Sequence, residues 1–428
     1  MRFANAGKFG RYAEFLREYR RVAKVCLDVL WDEGWLSGSK GRIRLFDPES
    51  DSLDCPKGMN REINDAIGET TLSARALKCC SDQVCGIAKS ATEKRRRLLW
   101  LVSKLRSEGK PTAKVERKLR SVTKPNVSRI NAELNSICCD FRKGTSFDGF
   151  LQLKCLGEAF GRIRIPVKLH RGSAKWESGR MMASFLLANG YVAVRWEREA
   201  PPPRETGVSV GADQGKNKVL ALGEAVSEDA AMRGRESFTE RTDIHGHSLD
   251  SIMDRLSRRR KGSKAFRRSQ EHRKNFINWS INSLNLDGIR EVRLEGIGNI
   301  AYGKRTSRKM SHWTNTLIRD KLLSTCESLG VQAIQQDPAY RSQRCSRCGQ
   351  VRKANRKGEA YACANCGLEI DADLNAARNH AQDLPKIPEA LRRLRRNFGK
   401  GFLWKPDGFF TMAGEEFTVP LSKKEHLT

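Results

Sequence analysis

Between Tyr12 and Leu30 the apolar side chains fall at Tyr12, Phe15, Leu16, Tyr19, Val22, Cys26, Val29 and Leu30, with Arg17, Arg20, Arg21 and Lys24 on the other sides. A repeat of three to four residues predicts an amphipathic helix. Asn60 to about Arg120 also reads as helix, broken near Ser107-Glu108-Gly109-Lys110-Pro111. It carries Lys94-Arg95-Arg96-Arg97 and then Lys114, Arg117, Lys118 and Arg120, so residues 8–125 form a mainly helical, basic region. After about Val127 the period changes to two. Arg162-Ile163-Arg164-Ile165-Pro166-Val167-Lys168-Leu169 alternates apolar with basic, and Tyr191 to Trp196 alternates after the turn Asn189-Gly190. Such short strands predict a small antiparallel sheet or barrel. Pro201-Pro202-Pro203 reads as a stiff linker at a boundary. From Thr206 onward strands alternate with helices, an α/β pattern. The last 45 or so residues hold a basic helix near Pro388–Arg396 and a Gly-rich, aromatic tail that carries no reading, and internal repeats are not apparent.

Composition adds a partner. The chain has 428 residues, 80 Lys plus Arg against 50 Asp plus Glu, and a net charge of +30. With 39% hydrophobic residues it can build real cores, so general disorder is excluded. A single Arg is most simply a solvated helix face. The density across several segments points to a polyanion, most plausibly nucleic acid. Apolar runs such as Leu98-Leu99-Trp100-Leu101-Val102 fall far short of a membrane span, and the first ten residues lack the apolar core of a secretory signal. A cytoplasmic protein with no membrane partner is expected. The 13 cysteines are an odd number and argue against a secreted disulfide framework. Nine of them (Cys26, Cys55, Cys79, Cys80, Cys85, Cys138, Cys139, Cys155 and Cys326) mostly sit among apolar neighbours and read as reduced, small hydrophobes. Cys55 with Cys79, Cys80 and Cys85 lacks a clean CxxC pair, so a second zinc site there is left open.

Two constellations carry chemistry. Cys345-Ser346-Arg347-Cys348 and Cys363-Ala364-Asn365-Cys366 are CxxC pairs separated by fourteen residues, each followed by glycine (Gly349, Gly367). Two such knuckles present four thiolates in a tetrahedron, which suits a structural zinc ion with a closed coordination sphere. The second constellation is acidic. Val208 to Gly215 reads as a buried strand ending at Asp213; Glu291 to Glu295 ends a strand at Glu295; and Asp371 to Ala377 places Asp373 at the start of an Ala-rich helix. Carboxylates gathered from separate strand ends and a helix start can hold two divalent metals and cleave a phosphodiester. Taken singly, Asp373 reads equally as a helix cap and Asp213 as a turn residue.

The order Gly211-Ala212-Asp213-Gln214-Gly215, then Leu294-Glu295-Gly296, the four cysteines, and then Asp371-Ala372-Asp373-Leu374-Asn375-Ala376-Ala377-Arg378-Asn379-His380-Ala381 resembles the RuvC nuclease core of TnpB proteins. The compact type V CRISPR effectors share that core. Arg255–Lys274 resembles the family's basic bridging helix, and Asp337–Cys345 its lead-in to the zinc ribbon. The resemblance is specific over about 206–380, weaker over 127–205, and architectural before that. It implies a multidomain α/β protein whose RNase-H-like (RuvC) nuclease domain contains an inserted zinc ribbon, with a helical recognition lobe and a small wedge-type β-barrel. The implied domains are a wedge strand at 1–7, a recognition domain at 8–126, the wedge barrel at 127–203, and the RuvC domain at 204–382 with its zinc ribbon at about 337–369. A tail follows at 383–428.

Position by position, the resemblance makes Asp213, Glu295 and Asp373 the catalytic Mg²⁺ ligands, with Asp373 preferred to Asp371 because it directly precedes the x-Asn-Ala-Ala element. Cys345, Cys348, Cys363 and Cys366 become the Zn²⁺ ligands. Gln214 stands where the family more usually has an apolar residue, and the loop Lys216-Asn217-Lys218 is polar and short. The implied activity is RNA-guided cleavage of double-stranded DNA at a single RuvC site. Guide RNA and target DNA are the partners, and the protein reads only a short flanking motif. Trp196, Trp279, Trp313 and Tyr340 could stack displaced bases, although core packing is the commoner role. The rival readings are a guided DNA binder without robust cleavage and an RNA-independent RNase-H-like transposase or resolvase. A monomer and a homodimer both fit the length.

Overall fold

The computed structural model describes residues 5–37, 42–45, 59–170, 172–173, 178–215, 217–225, 234–297, 307–388, 391 and 401–416. The chain divides into two compact units, Met1–Glu199 and Ala200–Thr428.

In the first unit, helix α1 (Ala6–Leu30) buries Tyr12, Phe15, Leu16, Tyr19, Val22, Cys26 and Leu30, the stripe read from the sequence. Its first turn is capped by the Asn5 side chain, which accepts from the Lys8 backbone N–H at 2.9 Å. Residues 6 and 7 are therefore helical, and the strand expected over 1–7 does not reach them; residues 1–4 lie outside the described residues. The short helix α2 (Glu33–Ser37) follows, and then α3 (Met59–Ile67), α4 (Ala74–Ser107) and α5 (Ala113–Arg120). The expected break at 107–111 is present. A second, unexpected break separates α3 from α4, where Gly68 takes a left-handed φ of 59° and Ser73 caps α4 by accepting from the Ala76 N–H.

Strands β1 (Ala132–Asn135), β2 (Cys139–Arg142), β3 (Gly149–Leu153), β4 (Ile163–Val167), β5 (Arg180–Ala188) and β6 (Tyr191–Glu197) are antiparallel. They form two three-stranded sheets, β1-β5-β6 and β2-β3-β4, and no closed barrel is found among the described residues, which corrects the expected wedge barrel. The reason lies in what covers the apolar faces. Phe15, Leu16 and Val22 of α1 and Val84 and Ala88 of α4 share one buried cluster with Leu134, Leu151, Ile165 and Phe185 of the strands. The helices, not a facing strand, remove these faces from water.

The second unit is built on the sheet β11-β10-β7-β8-β9. Its strands are β7 (Val208–Asp213), β8 (Ala221–Glu224), β9 (Glu236–Phe238), β10 (Ile289–Glu295) and β11 (Gln332–Gln336). β7, β8 and β9 form an antiparallel meander, while β10 and β11 run parallel to β7. On one face Val210, Ala212, Leu222, Val292 and Leu294 join a core with helices α6 (Leu249–Arg258), α7 (Lys264–Asn282) and α8 (Asn315–Ser328). The basic segment expected as one bridging helix is a helical hairpin: α6 stops at Arg259, Gly262 turns with φ 83°, and Ser263 caps α7.

The short strands β12 (Gln350–Val351), β13 (Arg356–Lys357), β14 (Ala360–Ala362) and β15 (Glu369–Asp371) lead into helix α9 (Ala372–Ala381). β16 (Phe402–Lys405) and β17 (Gly408–Phe410) come from the supposedly uninformative tail, and β16 pairs with β12. Trp404 is buried there, its backbone N–H donates to the Gly349 carbonyl at 2.9 Å, and its carbonyl accepts from the Arg344 guanidinium at 2.7 Å. Of the expected basic helix at 388–396, only residues 388 and 391 are among those described.

Candidate functional site

Side-chain alternation on β7 and β10 decides which residues leave the core. Val210 and Ala212, with Val292 and Leu294, face α6–α8; Gly211 and Asp213, with Arg293 and Glu295, project to the other face. The strands are parallel neighbours with Leu294 opposite Ala212, so their carboxyl ends set Asp213 and Glu295 side by side. The Gln214 backbone N–H donates to Glu295 Oε1 at 3.3 Å. Helix α9 covers this face at very short range. A Cβ at Gly211 would sit 1.9 Å from the Ala377 carbonyl oxygen, and one at Gly223 3.0 Å from Leu374 and Arg378. Only glycines on the sheet and small residues on the helix permit that approach. Asp373, in the first turn of α9, is thereby brought to the same place: a Cβ at Gly215 would lie 2.8 Å from its Oδ2.

The two aspartates at the start of α9 have different work. Asp371 is the N-cap, accepting from the Asp373 and Leu374 N–H groups at 3.1 Å each, and it also accepts from Lys218 Nζ. Asp373 is left to the cluster, where its Oδ1 accepts from Arg356 Nη2 at 2.9 Å.

Burial, reinforced by the negative charges of Glu295 and Asp373, pushes the Asp213 carboxyl well above the usual range. Burial pushes Glu295 up to about 7, with the Gln214 N–H and Arg356 opposing the shift and Asp373 adding to it. Asp373 is likewise raised, chiefly by burial, against the pull of Arg356. One ligand atom each of Asp213, Glu295 and His380 lies within 4.8 Å of the other two; Asp373 is outside that group, although its charge acts on both carboxyls. Acidic groups whose charges oppose one another in a dry place fit a divalent cation, which would supply the missing positive charge. Beside them opens a cleft of about 640 Å³, lined among others by Gln214, Trp313, Gln343, Lys353, Arg356 and Asp373. Of the aromatic candidates, Trp313 lines this cleft and Trp279 is 40% exposed, while Trp196 and Tyr340 are half-buried.

The four thiols form the second cluster. Cys345 Sγ lies 3.6 Å from Cys366 Sγ, and Cys348 Sγ 3.6 Å from Cys363 Sγ, with all four sulfurs within 4.8 Å of one another. A tetrahedron with Zn–S bonds of ~2.3 Å has sulfurs ~3.8 Å apart, so the donor set fits zinc. Each knuckle closes in the same way. Gly349 and Gly367 take left-handed φ values of 78° and 69° and donate to the carbonyls of Cys345 and Cys363, both at 3.0 Å. The other described cysteines are free thiols; Cys26, Cys80, Cys85, Cys138, Cys139 and Cys326 are buried, while Cys155 is exposed. Among the described residues Cys79, Cys80 and Cys85 do not gather into a metal-ligand group, and Cys55 lies outside them.

One residue at the carboxylate cluster was not singled out from the sequence. His380, in the last turn of α9, presents a ring nitrogen within 4.8 Å of both an Asp213 and a Glu295 oxygen. Burial, with help from Arg341, pushes it down to about 3, so it is neutral, and its Nδ1 has no hydrogen-bond partner. The usable signal was its spacing: seven residues after Asp373 is two helical turns, hence the same face.

Fold and site together define a class: an α/β unit with acidic groups at adjoining strand ends and a four-thiol ribbon leading into the helix that covers them. Comparison with known proteins narrows the class. Residues 317–380 match the Cas12f1-like TNB domain. The chain is 33% identical over 147 residues to the CRISPR-associated endodeoxyribonuclease Cas12f1 of Sulfoacidibacillus thermotolerans, covering 34% of this chain and 33% of that one. It is 26% identical over 123 residues to the Cas12f1 of Syntrophomonas palmitatica, covering 28% and 24%. The matches thus span a third or less of these relatives' lengths. A Cas12f1–sgRNA–target DNA complex superposes over 88% of this chain and 82% of that one, with a TM-score of 0.48 at 10% identity, too loose to carry an argument. The resemblance to compact type V CRISPR effectors, first read from short motifs, therefore holds in whole-segment comparison. Among the described residues no helix is long and apolar enough to cross a membrane.

Proposed function

We propose that this chain is an RNA-guided DNA endonuclease that cleaves matched double-stranded DNA at a single RuvC-type site. The observation that carries the reading is the convergence of Asp213, Glu295 and Asp373 from two adjoining parallel strands and the start of α9. The strand order β11-β10-β7-β8-β9, three antiparallel strands followed by two parallel ones, supports an RNase-H-like domain. The similarity to endodeoxyribonucleases supports the substrate class.

In this reading Asp213, Glu295 and Asp373 hold Mg²⁺, and Cys345, Cys348, Cys363 and Cys366 hold Zn²⁺. When bound, the magnesium ions supply an activated water and charge stabilisation for the leaving oxygen. The chain does the rest. Arg356 and Lys353 line the cleft and draw the phosphate backbone toward the carboxylates. Lys218 and the Asp371 cap fix the first turn of α9, so that Asp373 does not drift. Gly211 and Gly223 set the depth of α9 against the sheet. The four-thiol ribbon locks the segment that delivers both Arg356 and α9. The basic helices and twin sheets of the first unit would hold the guide RNA and its heteroduplex as recognition lobe and wedge, through backbone charge and shape. A second copy of the chain is a further candidate partner.

The test is to sequence the RNA that co-purifies with the protein expressed beside its native flanking DNA. A discrete species with a constant scaffold and a variable end, which then directs Mg²⁺-dependent cutting of matched DNA, is the expected result. Heterogeneous cellular RNA together with RNA-independent cleavage overturns it.

A further inference from the structure

A third ligand cluster lies in the second unit, among residues that the nuclease reading does not use. The turn Asp243-Ile244-His245-Gly246-His247 precedes the cap of α6, and the α6–α7 hairpin folds back so that His272, two turns into α7, meets it. His272 Nε2 lies 2.9 Å from Asp243 Oδ2, and His247 Nδ1 lies 3.4 Å from Asp243 Oδ1. The two imidazoles stand edge to face, with centroids 5.1 Å apart. One ligand atom from each of Asp243, His247 and His272 falls within 4.8 Å of the other two.

An aspartate–histidine hydrogen bond alone would account for Asp243 and His272. It leaves His247 Nδ1 buried and without a hydrogen-bond partner, since its 3.4 Å approach to Asp243 Oδ1 is not a hydrogen bond, and a buried polar atom left so is unfavourable. A tetrahedral ion with bonds of ~2.0–2.1 Å sets its ligands ~3.3 Å apart. The two contacts are made by different oxygens of one carboxylate, Oδ2 to His272 at 2.9 Å and Oδ1 to His247 at 3.4 Å, so Asp243 spans both imidazoles, and one ligand atom from each residue lies within 4.8 Å of the others. The carboxylate is also held from behind. The backbone N–H groups of His245 and His247 both donate to Asp243 Oδ1 at 2.9 Å, the kind of outer support that fixes a metal-binding carboxylate. Gly246, at φ 74°, permits the turn that places those two N–H groups.

We propose that Asp243, His247 and His272 form a site for a divalent transition metal of the zinc class, clipping the start of α6 to the middle of α7. Two imidazoles and one carboxylate select zinc, cobalt or nickel over magnesium and calcium, which prefer all-oxygen shells. Three protein ligands leave a fourth position for water. The site is separate from the four-thiol ribbon in both place and donor type. It stands whether or not the chain is a guided nuclease. The clipped loop also carries Arg241, which pairs with Glu359 (3.4 Å), itself bonded to Asn217 (2.7 Å) after β7.

The experiment strips the full-length protein of metal and reloads it with Co²⁺ in excess Mg²⁺, which keeps the carboxylate cluster occupied. Two equivalents are expected in the wild type. One brings the intense thiolate-to-cobalt charge-transfer band of the four-thiol site; the other adds only weak visible bands. His247→Gln and His272→Gln each lose the second equivalent and keep the charge-transfer band, which also reports that the fold is intact. A wild type that saturates at one equivalent overturns the proposal, and so does a second equivalent that survives in both variants. Should either variant misfold, the wild-type stoichiometry still decides.

Discussion

The four-thiol ribbon and the three-carboxylate cluster share the segment that leads into α9 but are made in opposite ways. The thiols lie within Cys345–Cys366, and each knuckle is closed by a left-handed glycine and one short backbone hydrogen bond. Its geometry is a property of the local chain. The carboxylates come from residues as far apart as Asp213 and Asp373, and nothing local holds them together. Sheet pairing and the close seat of α9 do so. The electrostatic consequence also differs. A buried thiol can stay protonated at little cost, whereas Asp213, Glu295 and Asp373 crowd three acidic groups into a dry space and are pushed up in pKa together. A short-range site can thus be preformed by its own loop, while the fold by itself leaves a long-range acidic site electrostatically unbalanced.

The largest expected effect breaks the carboxylate side alone. Asp213→Ala should lower Mg²⁺-dependent cleavage of matched DNA by ~10³-fold or more, the order expected when an essential electrostatic group is removed. Its melting temperature without metal should hold or rise, because a like charge has left a buried cluster. Unchanged cleavage would show that the site is elsewhere. Cys348→Ser should do the reverse in kind. It should release zinc, measured by a chromophoric chelator, and lower the melting temperature by roughly 5 °C or more, since metal binding and folding of such ribbons are coupled. Cleavage should fall as a consequence, because the ribbon leads into α9.

Gly211→Ala sharpens the comparison without touching a ligand. The new methyl meets the Ala377 carbonyl, so α9 must lift, at a cost of roughly 1–3 kcal/mol in stability. Denaturation should register that loss and cleavage should drop, with zinc content unchanged. If cleavage is untouched, the depth of α9 does not set the site.

The smallest effect is a pH slope. The folded pKa of Glu295 is raised from 4.5 to about 7, so the metal-free folded chain holds protons that the unfolded chain releases. That contribution to stability is complete below pH 4.5 and is lost as pH rises through about 7. Melting temperature should therefore fall over this window in chelator. Mg²⁺ should flatten or reverse the slope and bind more tightly as pH rises, because its ligands must be ionised. Equal slopes with and without Mg²⁺ would show that the carboxylates take no ion.

Much of this molecule was legible before any fold was known, for reasons that act over a few residues. The stripe from Tyr12 to Leu30 forecast which face of α1 is buried, the period-two segments at 163–167 and 191–196 became β4 and β6, and the CxxC spacing gathered four sulfurs. Helix and strand periods and tight turns are short-range geometry, so composition and spacing suffice. What remained hidden depends on long-range burial. Two open sheets rather than a barrel follow from α1 and α4 covering their apolar faces. Trp404 belongs to the ribbon because β16 finds β12, which no local pattern announces. The motif preferred Asp373 to Asp371, but the physical division of work between them needed the N-cap geometry of α9 and the partners Lys218 and Arg356, which give one to the helix and the other to the cleft. His380 beside Asp213, and His247 beside His272, likewise required packing: a donor's identity is written in the chain, but its neighbours are chosen by the surfaces that leave water together.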